Sequence, residues 1–186
     1  MISNVYHYPI LLFFEGLVSL AVAKLVEDEE QCIAIASKNI AKLKIMSNNA
    51  PENYSNKVAI LEAELAVVRG DRQKAKKIFT EAISLSRKYG FINEEALAFE
   101  REGLFLLETN SLDGAKLSLN SSYHCYEKWG AKALSTALVK NHPAITFSID
   151  RSVNLQVNDH SECSVSLLTE ISSTSNLKRK RVTFEL

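Results

Sequence analysis

The sequence is poor in the residues that punctuate β-rich and disulfide-bonded folds. Six glycines and three prolines occur among 186 residues, too few for the many tight turns of an all-β sandwich or barrel. The cysteines, Cys32, Cys125 and Cys163, are an odd and widely spaced set without a C-x-x-C. They argue against a disulfide framework and for a reducing, intracellular setting, and nothing beside them argues for a lowered thiol pKa. Neither sign of charge is in excess: 22 Lys and Arg balance 22 Asp and Glu. No net field therefore steers the chain toward nucleic acid or an anionic membrane.

A long uninterrupted apolar run is also missing. The opening "YPILLFFEGLVSLAVAKLV" comes nearest, but Glu15 and Lys24 interrupt it. A membrane span needs about 18 to 20 nearly unbroken apolar residues, and charges near mid-membrane are costly. No Lys or Arg precedes the stretch to form a signal-peptide n-region. It reads as a buried helix, with no membrane insertion, and the expected location is the cytoplasm. The basic run "LKRKR", with Lys178–Arg181, offers a nuclear address as the alternative to a solvated tail.

What remains is Ala, Leu, Lys, Glu and Ser in helical patterns over the first 140 residues, and the fold class expected is all-α. Six or seven helices can be placed. The first runs from about Val5 to Val26 with Pro9 near its first turn, where a missing N–H is harmless. The second covers about Glu29 to Asn48, and its stripe is Cys32, Ile33, Ala36, Ile40, Leu43 and Ile45. "SNNAPEN" then reads as a turn cluster. The third, about Tyr54 to Arg69, ends at Gly70. Asp71 is placed to cap the fourth, which ends at Gly90. Asn93 is expected to cap the fifth, with Glu94 and Glu95 suiting its dipole. Ser111 is expected to cap the sixth, which ends at Gly130, and Pro143 closes a short seventh from Ala131 to Val139. From His142 the composition turns to Ser, Thr and Asn, the profile of a mobile tail.

The punctuation repeats. A shift of forty residues sets Glu62-Ala63 on Glu102-Gly103, Ala75 on Ala115, Phe79 on Leu119, Ala82 on Ser122, and Tyr89-Gly90 on Trp129-Gly130. Small residues at Ala63 or Gly103 and at Ala75 or Ala115 let antiparallel helices approach closely. Phe79 or Leu119 then fills the space between neighbouring pairs, and Ala82 or Ser122 faces the next pair. One hairpin alone cannot bury its apolar side, so hairpins stack and share a continuous core.

These positions resemble tetratricopeptide (TPR) repeats. Ala63, Ala75, Phe79 and Ala82, and again Gly103, Ala115, Leu119 and Ser122, fall at that family's offsets. The period of forty departs from the usual 34, so the helices must be longer. About residues 50 to 145 also resemble the helical region of multidomain hybrid sensor histidine kinases. Pro51-Glu52-Asn53, Glu64, Gly70, Ala82-Ile83, Gly90, Glu94 to Ala98 and Trp129-Gly130-Ala131 carry that likeness. In that family a protein-kinase-like domain and an AAA-type ATPase domain precede the helices, and a GAF domain and kinase core follow.

The expected organisation is a divergent helix pair over 1–50 and two TPR-like pairs plus a short closing helix over 51–141. A mobile linker or tail takes 142–186, for a solenoid of about three hairpins. Glu15-Gly16 echoes the Glu-Gly pattern in the first pair. No G-x-x-x-x-G-K-[ST], H-R-D or D-F-G occurs, so no catalytic, cofactor or metal residue is assigned, and the chain is expected not to be an enzyme itself. His124 reads as a structural or solvent-facing residue. His160 and Cys163 supply two soft ligands where a metal site needs three or four. Tyr123, Tyr126 and Trp129 read as packing rather than nucleic-acid stacking.

The function expected is a scaffold or signal relay within, or derived from, a sensor kinase. It would present the first helices of each pair to a protein or peptide partner or to adjacent kinase domains. Lys57, Glu64, Arg69, Glu100, Arg101 and Glu108 lie on those helices and read as a solvated face. The alternatives are a helical superhelix that senses a small ligand, or a fragment carrying a kinase designation by inheritance.

Overall fold

The computed structural model describes residues 7–147, and these form seven α-helices without a strand among them. They are α1 (Tyr8–Ala23), α2 (Glu30–Asn49), α3 (Pro51–Val68), α4 (Arg72–Lys88), α5 (Ile92–Glu108), α6 (Leu112–Trp129) and α7 (Lys132–Asn141). Helices α1–α2, α3–α4 and α5–α6 pair as hairpins, and α7 packs on α6. The fold is an all-α helix-hairpin solenoid.

The turns explain the interval of forty. Gly70, Gly90, Asn110 and Gly130 all have positive φ, from +60° at Asn110 to +86° at Gly130. Each closes its helix in the same way. After α3, the Gly70 N–H donates to Val67 O at 3.0 Å and the Asp71 N–H to Ala66 O at 2.9 Å. The same two bonds recur at Gly90 and Phe91, at Asn110 and Ser111, and at Gly130 and Ala131. This is the Schellman closure, and it satisfies carbonyls the helix leaves open. The residue after each αL position turns back with φ between −92° and −83°, and the next helix begins at once. The backbone thus beats every twenty residues, and forty is two beats, one hairpin.

Two capping assignments change as a result. Phe91, not Asn93, holds the N-cap position of α5, because the two-residue turn fixes where the helix resumes and leaves Asn93 inside the first turn. Ser111 does occupy the N-cap of α6, but its side chain caps no amide. Asp71 performs as read, accepting from the Lys74 N–H at 3.0 Å. The α2–α3 junction is tighter than a turn cluster: Ala50 alone separates the helices, and Pro51 already opens α3.

The core follows the repeat. Ala63, Ala75, Ala115, Phe79 and Leu119 are fully buried, and the Phe79 and Phe105 rings lie 5.9 Å apart across the α4–α5 boundary. Gly103 earns its place by contact, since a Cβ there would sit 2.6 Å from Leu119 Cγ. Ser122 differs from expectation: its hydroxyl donates to Ala96 O of α5 at 2.9 Å, back toward its own hairpin partner. The first residues assigned to the tail are packed as well. Ile145 and Phe147 are buried with Tyr123, Leu119 and Leu138, and Asn120 Nδ2 donates to Thr146 O.

Candidate functional site

The first helices of the hairpins touch one another, α1 on α3 and α3 on α5, while no such contact joins α2 to α4 or α4 to α6. The first helices therefore make one contiguous face, and the second helices splay apart. On that face the sequence placed Lys57, Glu64, Arg69, Glu100, Arg101 and Glu108 as solvated charges. Two of them are not solvated: Glu64 is 1% exposed and Lys57 is 7% exposed.

Glu64, in the middle of α3, is the centre of an ionic bridge spanning three hairpins. Arg101 of α5 grips it with both ends of the guanidinium, Nε to Oε1 at 2.6 Å and Nη2 to Oε2 at 2.9 Å. Lys24, at the C-terminal end of α1, stands 3.5 Å from the same carboxylate and 3.9 Å from Glu108. The fork geometry of Arg matches a carboxylate in a way Lys cannot. The bond to Glu64 holds the Arg101 guanidinium even more firmly protonated than usual, against the opposing effect of burial.

A second tie lies nearer the N-terminal end of α3. Lys57 Nζ meets Glu94 of α5 at 2.9 Å and sits 4.4 Å from the Phe91 ring centre. Next to it, the amide of the fully buried Asn56 has no protein hydrogen-bond partner, and neither do Ser86 Oγ and Glu94 Oε2. Glu100 accepts from the Tyr126 hydroxyl of α6 at 2.6 Å. Burial, and then that bond to Glu100, push the Tyr126 phenol well above its ordinary range. Arg69 and Glu108 remain exposed.

The physical reason for the change is stacking. When first helices lie side by side, side chains that point along the face of one hairpin point at the next, and opposite charges there lose water together. Such a pair is weak evidence for net stability, yet breaking it by removing one partner is costly. It also fixes which residues of adjacent hairpins lie opposite, as a registry device.

Other singled-out residues sit apart from this face. His124 is exposed on α6, with its ring against Tyr123. Tyr123 and Tyr126 are buried, whereas Trp129 is half exposed at the end of α6. Burial raises the Cys125 thiol above its ordinary pKa, the reverse of activation. Among the described residues no group of three or more His, Cys, Asp or Glu is arranged to hold a metal, and no helix is long and apolar enough to cross a membrane. His160, Cys163 and Lys178–Arg181 lie outside the described residues.

The ionic bridges were not legible beforehand because their partners are 37 residues apart, for Glu64 and Arg101 and, for Lys57 and Glu94, on helices that meet only through stacking. The available signal was the burial pattern itself: Glu64 lies one position beyond Ala63, within the buried run of α3. In comparisons with protein-family models, with curated proteins and with solved structures, none matches the chain.

Proposed function

We propose that this chain is a non-catalytic scaffold or relay segment of a sensor-kinase signalling protein, working through the face formed by α1, α3 and α5. The observation that carries the reading is the Lys24–Glu64–Arg101 bridge, which ties the first helices of three successive hairpins into one surface. A partner bound across that surface would touch all three hairpins at once. Its contacts would therefore depend on the angle between them, which is how a stacked array passes on a mechanical signal. Glu108, 3.9 Å from Lys24, and Arg69, at the C-terminal end of α3, are exposed and supply polar contacts on this face. The signalling context rests on the resemblance of residues 50 to 145 to the helical region of sensor histidine kinases.

The test is an amide-shift titration of the isotope-labelled chain with whatever protein it captures from its native cells. Shifts confined to α1, α3 and α5, and weakened by Arg69→Glu with Glu108→Lys, support the reading. Shifts on the outer helices α2, α4 and α6 sink it, as would phosphate transfer from ATP by the purified chain. Sequencing of the transcript tests the context separately: a reading frame that continues into a GAF-like domain supports it.

A further inference from the structure

The buried polar atoms that lack a protein partner are not scattered. Among the described residues they belong to Asn56 of α3, Ser86 of α4 and Glu94 of α5, and these three meet at one level of the array. Ala63 and Phe79 pack together across the α3–α4 hairpin. Asn56 stands seven residues before the first and Ser86 seven after the second, about two helical turns in each case. The same faces of the antiparallel helices therefore bring Asn56 and Ser86 opposite each other. Glu94 is tied to this level from both sides. Its Oε1 lies 2.9 Å from Nζ of Lys57, the chain neighbour of Asn56. The residue after it, Glu95, accepts at 2.8 Å from Nε of Arg87, the chain neighbour of Ser86.

The repeat itself does not call for polar side chains here. Forty residues on, the positions of Asn56 and Ser86 carry Ala96 and Tyr126, and the Tyr126 hydroxyl is taken up by Glu100. Asn56 and Ser86 are fully buried and Glu94 is nearly so. Both the oxygen and the nitrogen of the Asn56 amide lack a partner, as do Ser86 Oγ and Glu94 Oε2, so the three side chains do not satisfy one another. Burying a polar group without a hydrogen bond is costly, and three such groups at one junction point to a shared ligand.

We propose that Asn56, Ser86 and Glu94 form a binding site for an internal water molecule at the junction of α3, α4 and α5. The water donates to Glu94 Oε2 and bonds the Asn56 amide and the Ser86 hydroxyl, the three hydrogen bonds usual for a buried water. Charge selects a neutral ligand. The Glu94 carboxylate already has its counter-ion in Lys57, while Asn56 and Ser86 are uncharged and each can both donate and accept. Full burial of Asn56 and Ser86 limits that ligand to the smallest such molecule. The water thus carries hydrogen bonds from the second hairpin to the third, beside the Lys57–Glu94 tie, at atoms that no protein group reaches.

Oxygen-17 magnetic relaxation dispersion of the full chain counts the waters that tumble with the protein. The wild type is expected to show such a component. Asn56→Leu with Ser86→Ala should lower its amplitude by one water, with the helical circular dichroism kept. Ser121→Ala, at an exposed position of α6 whose hydroxyl donates to Leu117 O, should leave the amplitude unchanged. The wild type alone supplies a second readout, independent of how the variants fold. In isotope-labelled protein, the side-chain amide protons of Asn56 should show a cross-relaxation peak to water with the sign of a long-lived contact. An Asn56 amide without that peak, or a dispersion amplitude that survives the double substitution, overturns the proposal.

Discussion

Gly103 is the residue where two rules of helix design collide. On propensity alone, alanine should improve the middle of α5, by about 1 kcal/mol. The Leu119 side chain, fully buried 2.6 Å from the site of the missing Cβ, leaves no room. Overpacking of this kind costs about 1 to 3 kcal/mol, so Gly103→Ala should destabilise by roughly 1 kcal/mol in urea titration, taking both effects together. Asn110 is the reverse case. It holds φ of +60° where the other three turns have glycine, so Asn110→Gly should raise stability by roughly 0.5 kcal/mol. Glu102 carries a pH dependence with an unusual sign. Burial raises its carboxyl above the ordinary value, opposed by the Ser118 hydroxyl and by Lys76. A raised acid binds its proton more readily folded than unfolded, so its contribution is fully present below the unfolded pKa and is lost as pH rises through the folded one. Glu102→Gln should therefore melt higher than wild type at neutral pH, with the advantage vanishing toward acid. Equal pH profiles for the two proteins would refute the assignment. At this scale the sequence was legible where a residue serves its own helix, as at Asp71 and Gly70. It was not legible at Asn93, whose capping chemistry is real but whose position is overruled by the turn two residues earlier.

Between elements, the governing relation is which side chains stacking brings face to face. The repeat register placed Ala63, Ala75, Phe79 and Ala115 in the core, and that much follows from local spacing, since a small residue every forty positions has few other uses. The sign of burial at Glu64 and Lys57 does not follow from spacing, because charge on a helix is ordinarily solvated and only the arrival of α5 makes it otherwise. The Glu64–Arg101 pair gives the sharpest test. Arg101→Met should cost about 3 kcal/mol by stranding a carboxylate that only Lys24 then approaches. Adding Glu64→Leu should recover most of that loss. A double variant as unstable as the single one would show that the pair does more than satisfy itself. The short segment after α7 is a further case: Ile145 and Phe147 alternate with polar neighbours as in a strand, yet they act as two pegs sealing α6 and α7.

Across the whole array, stability in a stacked fold is a sum of hairpins and of the junctions between them. Helices α3, α4 and α5 have neighbours on both sides, while α1 and α7 terminate the described series. Hydrogen exchange followed by mass spectrometry should find the slowest amides in α3 to α5 and the fastest helical ones in α7, with α1 intermediate. Uniform protection from α1 to α7 would mean that the array opens only as one block. The four equal turns reach further than folding. Because the elbows at Gly70, Gly90, Asn110 and Gly130 share the same two-residue form, a chain severed at one of them and rejoined at the next but one keeps its helices in phase. Joining Gly70 directly to Ser111 would hand α3 a partner whose Ala115 and Leu119 already answer to Ala75 and Phe79. Genetic gain or loss of such a block would lengthen or shorten the molecule without disturbing its grammar, and the reach of its surface is thereby open to evolution in steps of one hairpin.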